Sequence, residues 1–259
     1  MSQMLEQFLD GDTEGAWEQA RNLGPAAFSD DYSSDVRALA IETARRVDRN
    51  VDRLISQLDH LQFRFAEPER AHVRPVRNVS DRLRQLESSL GTLIGEPAPV
   101  PTILWVLAEY VGEVVLLGSA ERWSPPTYQF DDLEPGVSAT YADPLAIFVL
   151  SGLELAEGDF ADPSYLEQQA GDGMPPELLI APDRFHKANH SGGSQTIDWP
   201  SWSPDPILRD ANRRGQPKLT VVQYLRESFE WGGFPGFADY PDSAPTADIE
   251  FLAADLEPI

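Results

Sequence analysis

The chain contains no cysteine. Disulfides, thiolate nucleophiles and Cys-ligated zinc or iron–sulfur centres are therefore excluded. A secreted scaffold of modest size usually leans on disulfides, so the same absence points to a reducing compartment. Lysine is nearly missing: of 20 basic residues only Lys187 and Lys218 are lysines, and the rest are arginine. No apolar run is long enough to span a bilayer. The most apolar stretch, residues 102–118, is interrupted by Glu109 and Glu113, and a spanning helix needs about 20 apolar residues. The first fifteen residues carry acid where a secretory leader carries a basic region followed by an apolar one. The expectation is a cytoplasmic protein.

Acid dominates what is present. The 43 acidic residues outnumber the basic ones, and the net charge is −23. Such a surface repels phosphate backbones and anionic lipid, which argues against nucleic acid and membrane as partners. A basic protein partner, a cationic ligand or a metal is compatible with it. At 259 residues, 41% of them hydrophobic, the chain has enough apolar side chain for a folded core rather than global disorder.

Periodicity and punctuation divide the chain into three parts: residues 1–66, a helical segment packed on the body; 67–237, an α+β domain; and 238–259, an acidic C-terminal segment. Residues 1–35 carry eight acids against the single base Arg21. Ser33 and Ser34 are placed to cap a long helix. Val47, Val51, Leu54, Leu58 and Leu61 repeat at alternating steps of four and three, the helical period, and Val36, Leu39 and Ala40 begin the same stripe. Arg45, Arg46, Arg49 and Arg53 decorate the opposite side. Packing of this helix on its own chain is expected, and an assembly role for residues 36–62 is the alternative. A second helix is predicted over 80–90, capped by Ser80 and ended by Gly91. An extended connector through Pro97, Pro99 and Pro101 follows, then a buried helix from Ile103 to Val111, broken by Gly112. Short apolar runs at 114–117, 146–150 and 178–181 read as strands. An amphipathic helix is predicted over 219–231. In the last segment Ile249 and Phe251 suggest a strand, and the remainder reads as a solvated tail.

Two stretches, Leu83-Arg84-Gln85-Leu86-Glu87-Ser88-Ser89-Leu90-Gly91 and Leu104 to Gly112, joined by the proline step, resemble the opening of the SUKH superfamily, which includes fungal cell-wall-assembly regulators and bacterial immunity proteins. Glu87 and Gly112 match residues that recur there. The resemblance implies a single α+β fold with a bent, mostly antiparallel sheet packed with helices. Here the long N-terminal amphipathic helix precedes it. It also implies a non-enzymatic role as an immunity protein that neutralises a toxin by covering it, and a basic toxin suits an acidic partner. Two further elements, Ala181-Pro182-Asp183-Arg184-Phe185-His186-Lys187-Ala188-Asn189-His190-Ser191-Gly192-Gly193 and Trp231-Gly232-Gly233-Phe234-Pro235-Gly236, resemble a set of bacterial proteins of unassigned function.

No cofactor and no catalytic constellation is expected. His186 and His190 lie four apart, with Asp183 one turn earlier, which on a helix places all three on one face and suggests a metal-dependent enzyme as the alternative function. With Lys at 187 and Asn at 189 the pair does not form an H-E-x-x-H motif, Lys187 beside it repels a cation, and Pro182 and Gly192-Gly193 limit any helix. The loop then serves instead to tie backbone carbonyls and a neighbouring carboxylate. Ser191 lacks the frame of a strand-to-helix nucleophile elbow. Asp143 before Pro144 suggests an Asx-turn. The candidate binding residues are Asp131, Asp132 and Glu134 in an acidic loop, with Trp231, Phe234 and Phe237. Trp199, Trp202, Trp231, Phe234 and Phe237 all flank turn residues. They either form a recognition surface or turn inward to close the core.

Overall fold

A computed structural model of the chain describes residues 2–123, 127–129, 138–140, 144–171, 175–181, 195–209, 218–238 and 241–259. Asp131, Asp132, Glu134, Asp143 and the Asp183, His186, Lys187, Asn189, His190 loop lie outside the described residues. The order of elements is α1 (Gln3–Leu9), α2 (Thr13–Asn22), α3 (Ser33–His60), β1 (Arg64–Phe65), β2 (His72–Val73), α4 (Val79–Ile94) and α5 (Thr102–Tyr110). Then come β3 (Glu113–Val115), β4 (Gly118–Ser119), β5 (Thr127–Gln129), β6 (Ser138–Thr140), β7 (Ala146–Ile147), α6 (Val149–Ala161) and α7 (Pro163–Gly171). The chain ends with β8 (Glu177–Ala181), β9 (Gln195–Asp198), α8 (Val221–Glu230) and α9 (Thr246–Ala253). The fold is α+β, as expected. Every described strand pair is antiparallel, in the sets β1-β4, β2-β3-β7, β5-β6 and β8-β9.

Helix α3 is the organising element. Its stripe from Val36 to Leu58 is fully buried, and it packs chiefly on α5, with α1 and α9 alongside. Burying each such Val or Leu contributes about 1.5–3 kcal/mol. Two of the polar side chains admitted to this layer, Trp17 and Thr43, satisfy their donors within it. Trp17 donates its indole N–H to Thr43 Oγ1 at 3.0 Å, and the Thr43 hydroxyl donates to Leu39 O at 3.1 Å. One continuous apolar cluster joins residues from Met4 to Ile259.

Several elements depart from the expectations. Helix α4 runs to Ile94, past Gly91, and ends at Gly95 in a left-handed conformation (φ 80°). Gly91 lies within the helix, and its missing side chain leaves room for the returning chain: a Cβ there would lie 3.1 Å from Glu96 O. Ser80 does not cap α4 but donates its hydroxyl to Glu109. The predicted strand at 146–150 stops at Ile147, and Val149 opens α6. Gly152 and Gly158 lie inside that helix and weaken its sequence signal.

The C-terminal segment is neither strand nor solvated tail. Ile249 and Leu252, three apart, are buried on α9. The residues after α9 are clamped to α3. The Asn50 amide donates to Glu257 O at 2.8 Å and accepts from Glu257 N at 2.7 Å, while Arg49 makes two bonds to the Glu257 carboxylate. Arg46 and Arg53 donate to the carbonyls of Pro258 and Asp255. Ile259 is 2% exposed. Three of the four arginines that decorate α3 in sequence, Arg46, Arg49 and Arg53, therefore hold the acidic segment.

Candidate binding groove

An open groove of about 640 Å³ lies between the C-terminal turns of α4, the proline connector and the loop after β9. Glu87, Thr92, Glu96, Pro97, Pro99 and Trp202 line it. Each wall has a local cause. On one side, Gly95 N and Glu96 N both donate to Gly91 O, which turns the chain back over the helix. The connector is then pinned: Val100 N donates to Glu87 Oε1 at 2.8 Å, and Ala98 and Val100 are buried. Prolines hold the intervening backbone extended.

Trp202 forms the opposite wall, and its loop is anchored on both sides. Trp199 is buried before it. After it, Pro204 O accepts from Ile103 N at 3.0 Å, which ties the loop to the start of α5. Asp205, fully buried, accepts from Val222 N at 3.0 Å at the start of α8 and from Arg21 Nη1 at 3.0 Å. Burial pushes the Asp205 carboxyl above its ordinary range, against the opposing pull of the Val222 N–H, the Thr220 hydroxyl and Arg21. Phe28 packs edge-on to Trp202 at 5.8 Å. The indole is thus an aromatic surface on a fixed loop, which reduces the ordering cost of binding.

The five aromatics that flank turns separate in the structure. Phe234 and Phe237, read as binding residues, are 0% and 3% exposed. They close the core with Trp123 and Phe63, at 4.9 Å for Trp123–Phe234 and 5.6 Å for Phe63–Phe234. The loop can turn them inward because Gly232 and Gly233 take positive φ. Trp231 is half-buried and packs on the core cluster, and Trp199 is buried. Trp202 alone of the five is exposed, at 41%. Its surroundings, Ser201 and Ser203 between Pro200 and Pro204, carry the sequence signal of a constrained polar loop.

Comparisons with family models, with curated proteins and with solved structures find no match for this chain.

The charge around the groove follows from how the cations are used. Apart from Arg45 and Arg77, every described arginine sits against a carboxylate. Arg45 lies over the Tyr110 ring. Glu6, Asp10, Glu18, Asp30 and Asp31 are exposed and have no partner among the described residues. The groove lining carries two carboxylates, Glu87 and Glu96, and no basic side chain. One oxygen of Glu87 is held by Val100 N. Such an arrangement can bind a cation beside an aromatic ring. Among the described residues no group of His, Asp and Glu is arranged to hold a metal ion.

Proposed function

We propose that this chain is a non-enzymatic protein-binding module whose partner is basic. One observation carries the reading: the described arginines are almost all engaged in internal ion pairs, and Glu6, Asp10, Glu18, Asp30 and Asp31, exposed along α1, α2 and the turns beside them, are left uncompensated among the described residues. Opposite potentials steer encounter and fix register, and like-charged partners are rejected.

The resemblance to the SUKH superfamily supports the same class, an immunity protein that covers a basic toxin. Its two matching residues have physical work in this fold. Glu87 pins the proline connector through Val100 N. Gly112, at φ +87°, leaves room for Val73 O, which a Cβ would approach to 2.1 Å. A cytoplasmic location agrees with the missing cysteines, and no described helix is long and apolar enough to cross a membrane.

The test is co-purification from the source cells at low and moderate salt, followed by stopped-flow kinetics on the isolated pair. The expected partner is basic. Steering by charge raises association rates by about 10- to 1,000-fold, so the rate falls at least about tenfold as salt rises through the physiological range. An acidic partner, or an association rate indifferent to salt, overturns the reading. So does stoichiometric zinc, manganese or iron lost on His186→Ala, which would favour a metal-dependent enzyme centred on Asp183–His190.

A further inference from the structure

We infer that the Trp202 groove receives an arginine side chain of the basic partner, with the guanidinium stacked on the indole and its N–H groups directed to Glu96 and Glu87. This rests on the reading above and gives it a location.

The occupant follows from the lining. Arginine is planar, weakly hydrated and stacks on aromatic faces, and its fork of donors matches a carboxylate. Trp202 supplies the face: Phe28 stands nearly perpendicular to it, at an interplanar angle of 83°, and so covers at most one side of an indole that is 41% exposed. The second oxygen of Glu87 and both oxygens of Glu96 have no partner among the described residues. Most of the described arginines already meet carboxylates, yet none of them reaches this pair. Pro97 and Pro99 add apolar wall for the methylene stem. The groove, at about 640 Å³, is wider than one side chain and admits the flanking backbone of a peptide. A lysine ammonium is more strongly hydrated and has no plane to stack, so it fits the same lining less well.

The test uses the full chain and three capped probe peptides: an arginine–glycine repeat, the same repeat with lysine, and the same with neutral, isosteric citrulline. Affinity is measured by calorimetry. The site is located by the indole N–H resonance of Trp202, assigned from its loss in Trp202→Phe. The expected result is that the arginine peptide binds most tightly and shifts that resonance. Trp202→Ala then weakens it about 3- to 30-fold, as the loss of a cation–π contact requires, and Trp202→Phe retains most of the affinity. Glu96→Gln weakens it and flattens its salt dependence. Trp202 is exposed, so its variants are expected to keep the fold, and circular dichroism checks this.

Salt-dependent arginine-peptide binding that Trp202→Ala leaves unchanged overturns the groove and leaves the acidic-surface reading standing. Equal binding of lysine or citrulline peptide overturns the choice of arginine. Absence of binding by either cationic peptide at low salt overturns both the groove and the broader reading.

Discussion

Gly152 and Gly158 occupy the same helix, α6, and should respond to alanine with opposite signs. A Cβ built on Gly152 would lie 1.9 Å from Leu179 O, a backbone atom of β8. That is far inside van der Waals contact, and a backbone carbonyl cannot swing aside as a side chain can. The helix also cannot retreat freely, because Phe148 N, at its start, donates to Ile180 O at 2.8 Å. Overpacking of this kind costs about 1–3 kcal/mol, occasionally more, and so close a contact puts Gly152→Ala near the top of that range. Gly158 faces open space, with nothing within 4 Å of its added Cβ. Alanine there gains helix propensity, about 0.5–1 kcal/mol. The two variants should differ by about 3–4 kcal/mol. Urea denaturation followed by tryptophan fluorescence reads this directly, with unchanged m-values confirming that the denatured state is not the cause. Equal stabilities for the two variants would refute the close packing of α6 on β8.

Three further substitutions test other parts of the fold. Asn50→Ala removes both hydrogen bonds to the Glu257 backbone. It should cost about 1–3 kcal/mol and release the amide protection of Leu256 and Glu257. Fast exchange of those amides in the parent protein would contradict the clamp. Glu257 is held below its ordinary range, first by the hydrogen bonds from Arg49. Its contribution is therefore present above about pH 4 and lost as pH falls through the folded value. Glu257→Gln should cost about 0.5–1 kcal/mol at neutral pH, and in urea titrations the two proteins should converge in acid. Asp205 has the reverse sign. Its raised folded value means that the carboxyl stabilises best when protonated, below about pH 4, and loses that contribution as pH rises through the folded value. Relative to Asp205→Asn, the parent should weaken from about pH 4 to pH 7; a gain in that direction would show that the pair with Arg21 outweighs burial.

Long periodic elements were legible, and so were the short apolar runs that became α5, β3 and β8; elements with few core residues were not. The stripe of α3 repeats over many turns, and Leu83, Leu86 and Leu90 mark one face of α4. In α9 only Ile249 and Leu252 reach the core, which is too little to separate a period of three from a strand. The docking of the last residues was hidden for another reason. It depends on Asn50, Arg49 and Arg53 meeting Glu257 from a helix at the other end of the chain, and local sequence carries no trace of such a pairing. In α6 the two glycines obscure a helix that tertiary packing demands. The aromatic loops show the same division. That Trp199, Trp202, Trp231, Phe234 and Phe237 flank turns is visible in sequence. Which of them turns inward is decided by Gly232, Gly233 and the space around Trp123. Trp202 meets the proline connector only through the fold, so the groove becomes visible when the two are brought together.

Charge is the part of the account most open to a direct test. Glu6, Asp10, Glu18, Asp30 and Asp31 can be changed together to their amides without disturbing any hydrogen bond between described side chains. Association rates with the arginine–glycine peptide, measured across a range of ionic strength, then compare this variant with the parent. A clear loss of rate at low salt and a flatter salt dependence are expected for the variant. Superimposable curves for the two proteins would contradict the claim that uncompensated carboxylates govern what this molecule binds.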